Sequence, residues 1–156
     1  MKNNNRKLNE NMYYLLTWFS PSFPIGSYAY SHGLEYAIES KIVKNTSDLS
    51  DWISDFLHYG TCYNDGIIIS NAYDAVTKNN LKELEKISLI AKAFKPTKEI
   101  SLESYQQGVS FAHAVSKSLN CKKFDKLITI INENISYVIA VACAGAVCNI
   151  NKLDLV

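Results

Sequence analysis

Apolar residues recur along most of this chain at the three- and four-residue spacing that puts side chains on one face of an α-helix. Met12, Leu15, Leu16 and Phe19 open the pattern, and Pro21 closes it, because proline disfavours α geometry at the residue before it. The period resumes from Ser27 through Tyr30, Leu34, Ala37 and Ile38, with Ser27 or Ser31 as N-cap. Thr46-Ser47-Asp48 offers capping groups and negative charge to a helix whose stripe is Leu49, Trp52, Ile53, Phe56 and Leu57. Asn64-Asp65-Gly66 is expected to interrupt or kink that helix. Beyond it, Ile67, Ile68 and Ile69 suit a short buried strand as well as a helix; with Ala72, Tyr73 and Val76 following, length favours helix.

Asn79-Asn80 separates a second clean stripe, Leu81, Leu84, Ile87, Ile90, Ala91 and Phe94, ended by Pro96. Ser101 can cap a helix through Tyr105, Gly108, Phe111, Ala112, Val115 and Leu119. Gly108 costs such a helix about 0.8–1.0 kcal/mol relative to Ala, so it marks a place where another helix comes close. Phe124, Leu127, Ile128 and Ile131 give a further helix, and Ile135 to Cys148, apolar all round, a central one. The pattern predicts an all-α fold, a single-domain bundle of about six to eight helices over residues 12–156, behind a polar tail, 1–11.

Composition narrows the function. The chain has 156 residues, 47% of them hydrophobic, and a formal charge of +1 from 16 basic and 15 acidic side chains. A core is affordable, and no basic stripe of the kind that neutralises nucleic-acid phosphates is present, so nucleic acid is excluded as a partner. Arg6 is the only arginine, which leaves one candidate, in the tail, for any mechanism that needs a guanidinium fork. The four cysteines form no CxxC and read as reduced thiols. Residues 1–11 lack the apolar core of a secretory signal, and the run Tyr137 to Cys148 falls well short of the roughly 20 residues that cross a bilayer. A cytoplasmic protein with no membrane contact is expected.

Candidate chemistry is sparse. His58 and Cys62 stand four residues apart with Asp65 a turn further on, a spacing able to present ligands to a divalent metal and equally that of packing residues in an amphipathic helix. His32 and Glu35 could act as a base and its orienting carboxylate, as two metal ligands, or in a solvated or capping role, which the lack of an assignable third group favours. No GxSxG elbow and no GxxxxGK[ST] phosphate loop exists. No catalytic, cofactor-binding or metal-ligating residue is therefore assigned, and a binding module is favoured over a small helical enzyme or metal-binding protein using His32, Glu35, His58 and Cys62. Ten tyrosines are present, and Tyr28, Tyr30 and Tyr36 cluster beside a loop that Pro21 and Pro24 stiffen. Rigid aromatic surface with polar tips suits a protein interface.

The stretch Ser20-Pro21-Ser22-Phe23-Pro24-Ile25-Gly26-Ser27-Tyr28-Ala29-Tyr30-Ser31-His32-Gly33-Leu34-Glu35, preceded by Leu15-Leu16, resembles the signature of the urease accessory protein F family (UreF). Thr97-Lys98-Glu99, with Glu103 through Gln107-Gly108, is similar to that family's middle motif, and Tyr137 to Cys148 to its small-residue helix. The resemblance implies a non-enzymatic, dimeric all-α urease maturation factor. Such a factor bridges UreD (also called UreH) and the GTPase UreG so that nickel is delivered to apo-urease. Carried onto this chain, the partner-binding residues would be Phe23, Pro24, Gly26, Tyr28, Tyr30, His32, Gly33, Glu35 and Tyr36. Position 32 is His where many members carry Gln, which argues against a metal-ligand role. Members usually continue past the apolar helix, whereas this sequence stops at Leu153-Asp154-Leu155-Val156. The expectation is a C-terminally incomplete domain whose residues 135–148 present an apolar patch or bury it in a dimer.

Overall fold

The segment Tyr137–Val147, labelled α8 below, has no polar face to offer water, and every residue from Val138 to Ala146 is buried. The computed structural model describes residues 11–27 and 30–156, and among them it contains helices, turns and no strand. In chain order the helices are α1 (11–18), α2 (Leu34–Glu39), α3 (Thr46–Tyr59), α4 (Thr61–Thr77), α5 (Leu81–Ala93), α6 (Lys98–Leu119), α7 (Lys122–Ile131), α8 and α9 (Lys152–Leu155). This is an all-α bundle built around α8. Helices α4 and α6 pack most broadly on α8, with α7, α5 and α9 closing the remaining sides. Ala72 and Val76 of α4, Leu84 of α5, Phe111 and Val115 of α6 and Phe124 of α7 point into that core.

Gly108 lies where α6 meets the start of α8. A Cβ there would stand 2.6 Å from the carbonyl carbon of Ser136 and 2.9 Å from the amide nitrogen of Tyr137. Only glycine permits that approach, so the helix-propensity cost read from the sequence is offset by packing.

Several local expectations need correction. Asn64-Asp65-Gly66 neither breaks nor kinks a helix: α4 runs unbroken through it, and the break comes earlier, at Gly60, whose extended backbone (φ −88°, ψ −164°) separates α3 from α4. The turn-forming tripeptide is overridden because Ile68, Ala72, Ala75 and Val76 further along the same helix are buried. Asn45, not Thr46-Ser47-Asp48, caps α3: its Oδ1 accepts from the amides of Ser47 (2.8 Å) and Asp48 (3.1 Å), while Asp48 Oδ2 accepts from the amide of Lys44 (2.9 Å). That reciprocal arrangement satisfies three main-chain donors. Thr97 rather than Ser101 caps α6, its Oγ1 accepting from the amide of Ile100 at 3.2 Å. The helix expected from Ser27 starts only at Leu34, behind Gly33.

The apolar surface of residues 135–148 is not left open either. The chain's own α4, α6 and α7 enclose it, and α9, which the pattern did not reveal, seats Leu155 against Gly145. Uncovered apolar side chains lie instead on α1 (Met12, Tyr13, Leu16) and on α3, in which no residue is buried. Among the described residues, no helix is long and apolar enough to cross a membrane.

Candidate functional site

Residues 19–27 and 30–33 form turns and bends at the end of the bundle. Within them the amide of Phe23 donates to the carbonyl of Ser20 (2.9 Å) and that of Ile25 to the carbonyl of Phe23 (2.8 Å). Aromatic packing fixes the segment from beneath. Trp18, 2% exposed, stacks on Tyr14 at 5.2 Å and meets the edge of Phe111 at 5.6 Å. Phe23 lies 5.5 Å from the same Phe111 ring, which also contacts Tyr137 at 5.6 Å. The loop is thereby tied to both α6 and α8. Gly26 (φ 77°) and Gly33 (φ 85°) take left-handed backbone that other residues adopt only with strain, and His32 between them is also left-handed (φ 50°).

Between this segment, α3, α4 and α6 opens a cleft of about 970 Å³. The two stretches that carry the sequence resemblance face each other across it: Tyr30 and His32 from the loop, Glu99, Glu103 and Gln107 from α6. His32 Nε2 stands 3.6 Å from Glu103 Oε1, and Gln107 Nε2 donates to that oxygen at 2.8 Å. Glu103 is buried, so these two neighbours supply the polar contacts its carboxylate has given up with water. Deeper along α4, Lys95 Nζ donates to both carboxylate oxygens of Asp65, at 2.8 and 3.1 Å. Cys62 lines the same wall. Burial and the Asp65 charge push its thiol pKa up, with Lys95 opposing, so it is not an activated nucleophile. Glu99 stays a carboxylate: its own amide and the Thr97 hydroxyl hold its pKa down.

The site residues expected from the sequence divide into supports and surface. Phe23 is half-buried and acts as an anchor; Pro24, Gly26, His32, Gly33 and Glu35 are exposed. Tyr30 and Tyr36 are 42% and 70% exposed. Tyr28 and Arg6 lie outside the described residues. His32 finds its carboxylate in Glu103, not in Glu35. His58 and Cys62 do not share one helix face, because Gly60 separates α3 from α4. His58 Nδ1 bonds the carbonyl of Ser54 at 2.8 Å and Asp65 is committed to Lys95. Among the described residues no three His, Cys, Asp or Glu side chains converge to hold a metal ion. Sequence reasoning did not place Trp18 and Lys95 in the site. Glu103 and Gln107 belonged to the middle motif, and their four-residue spacing on a helix was the available signal.

The UreF family model matches residues 43–156. This chain belongs to the UreF family. The protein named urease accessory protein UreF in Methylorubrum populi is 39% identical over 133 residues, covering 85% of this chain and 59% of the relative. That of Methylobacterium sp. is 35% identical over 142 residues, covering 91% and 57%. The chain thus spans under three fifths of the length of these curated relatives. In this UreF-family chain the matched stretch supplies one wall of the cleft, from α3, α4 and α6, and the proline-braced loop ahead of it supplies the other.

Proposed function

We propose that this chain serves urease maturation as a non-enzymatic assembly factor that bridges UreD (UreH) and the GTPase UreG, so that nickel reaches apo-urease. In this reading residues 12–156 act as one domain, in the cytoplasm and as a homodimer. The observation that carries it is the construction of residues 20–27 and 30–36. Trp18 and Phe23 clamp the segment onto Phe111, while Tyr30 and Tyr36 keep large parts of their surface in water. A loop ordered before it meets a partner gives up little further entropy on binding, and exposed tyrosines supply contact area with few rotatable bonds. With Arg6 as its sole arginine, the chain would act on a GTPase by preferring one nucleotide state, not by inserting a guanidinium. Nickel would pass between subunits without a tight site here, since strong binding hinders release.

The test is co-purification with UreD and UreG. Replacing Tyr30 and Tyr36 together with Ala is expected to weaken capture at least about tenfold while the circular dichroism spectrum is unchanged. Undiminished capture would refute the docking role of this segment. Stoichiometric nickel uptake by the purified chain, lost when His58 and Cys62 are changed together, would refute passage without a tight site.

A further inference from the structure

A second cavity, of about 460 Å³, lies behind the cleft where the α5–α6 connection meets the start of α8. Its wall includes Lys92, Lys98, Ser101, Ser104, Tyr105 and Ser136. Ser136 is the N-cap residue of the eleven-residue α8, yet its own side chain makes no capping hydrogen bond. Ser136 is 3% exposed, and its Oγ has no hydrogen-bond partner among the described residues. A buried hydroxyl without a partner costs free energy, and a helix start buried without a cap leaves amide donors and the positive end of the helix dipole unanswered. Ser104 Oγ answers only in part, accepting from the amide of Tyr137 at 3.4 Å.

The charges around this point have the matching sign. Lys98 has no carboxylate partner among the described residues, and Lys92 Nζ reaches only the main-chain carbonyl of Glu133, at 3.4 Å. Lys95 also borders the cavity, with its charge answered by Asp65. Setting Glu133, a further wall residue, against Lys92 and Lys98 leaves a surplus of one positive charge. Hydroxyl donors, a helix N-terminus and lysines are the groups that receive a tetrahedral oxyanion.

We propose that this cavity binds a phosphate group, with Ser136 Oγ and Ser104 Oγ as hydroxyl donors and Lys92 and Lys98 as counter-charges. Free inorganic phosphate and a small organic phosphate monoester share this chemistry, and the volume accommodates either. The site is separate from the docking loop, so its failure would leave the proposed function untouched. The test is an amide-resolved NMR titration of the chain with inorganic phosphate and, in parallel, with phenyl phosphate. Saturable shifts confined to Ser104, Ser136, Tyr137 and Val138 are expected. Tighter binding of phenyl phosphate would identify a monoester, whose organic part rests on Leu102 and Ile135, and equal affinity would identify the free anion.

Ser136→Ala removes the unpartnered oxygen and is expected to raise Kd about tenfold with the spectrum otherwise that of the native fold. The exposed substitution Lys98→Glu should raise it further, by charge reversal. Absence of saturable shifts at millimolar ligand, or unchanged affinity in both variants, would overturn the proposal.

Discussion

Helices α8 and α3 are both rich in apolar residues, and they are buried to opposite degrees. Nine consecutive residues of α8 are closed off from water, whereas none of the fourteen in α3 is. In α3 the inner edge of the stripe, Leu49, Trp52 and Phe56, is half-buried, while Ile53 and Leu57 on its outer edge are 48% and 52% exposed. A helix without a polar face can only be stable at the centre of something. An amphipathic stripe guarantees one favourable side but says nothing about how much of it the same chain will cover. The described helices therefore cover α8 between them, and much of the uncovered apolar surface lies at the α1–α3 end, beside the cleft.

The widest separation between the two regions should come from truncating Phe111. This ring is fully buried and touches Trp18, Phe23 and Tyr137, so it belongs to the core and also anchors the loop. Phe111→Ala is expected to lower stability by about 3–5 kcal/mol in urea denaturation and to loosen residues 20–27 toward proteolysis. A loss under about 1 kcal/mol would place the aromatic cluster outside the cooperative core.

Alkaline pH should distinguish the regions next. Burial pushes the Cys143 thiol from its ordinary 9.0 to about 12 and the Tyr137 phenol from 10.0 to about 12. Both groups are neutral acids whose folded pKa is raised. Above the unfolded values the unfolded chain has released protons that the folded chain keeps, so stability is full below pH 9 and falls as pH rises toward 12. Each such proton contributes a slope of about 1.4 kcal/mol per pH unit. Urea midpoints measured across this range should show the fall, and Tyr137→Phe with Cys143→Ala should flatten it. An unaltered slope in the double variant would assign the alkaline loss to other groups.

Gly108→Ala comes third. Alanine should restore about 0.8–1.0 kcal/mol of helix propensity, yet its Cβ would run into main-chain atoms of Ser136 and Tyr137 that have no room to yield. A net loss of about 1–3 kcal/mol is expected in thermal denaturation. A gain would mean that α6 and α8 can part without cost.

Helix existence and the central place of α8 were legible in the sequence because both follow from local pattern: a 3.6-residue period, or the lack of any polar face. The boundaries were less so. Asn64-Asp65-Gly66 has every local mark of a turn, but burial of Ile68, Ala72 and Val76 outweighs it, and that is tertiary information. The α9 turn is too short to show a period, and tertiary contacts hold it: Leu155 against Gly145, and Lys152 Nζ on Asp74 Oδ1 at 2.9 Å. In the site, the aromatic loop could be read from its prolines and tyrosines. Pairing His32 with Glu103, and Asp65 with Lys95, could not, since each joins residues 30 or more apart in sequence that meet only in the folded bundle. Sequence spacing offered Glu35 as one possible carboxylate for His32, and in the fold the neighbouring carboxylate is that of Glu103.

The smallest effect is expected at the outer edge of α3, and it makes the comparison sharpest. Ile53→Ser and Leu57→Ser remove two large apolar side chains from a helix interior, a change that in α8 would unfold the protein. Here each side chain keeps about half its surface in water after folding, so the transfer free energy at stake is a fraction of that for a buried residue. Neither substitution strands a polar group, because a serine hydroxyl at these positions meets solvent. The remaining cost is helix propensity, a few tenths of a kcal/mol per residue. Each substitution taken alone should therefore lower stability by about 1 kcal/mol, a small part of the Phe111→Ala effect, when urea midpoints are compared under one condition. A loss approaching about 3 kcal/mol from either one alone would mean that this edge is covered in solution, and the contrast between a covered core and an open α1–α3 end would have to be abandoned.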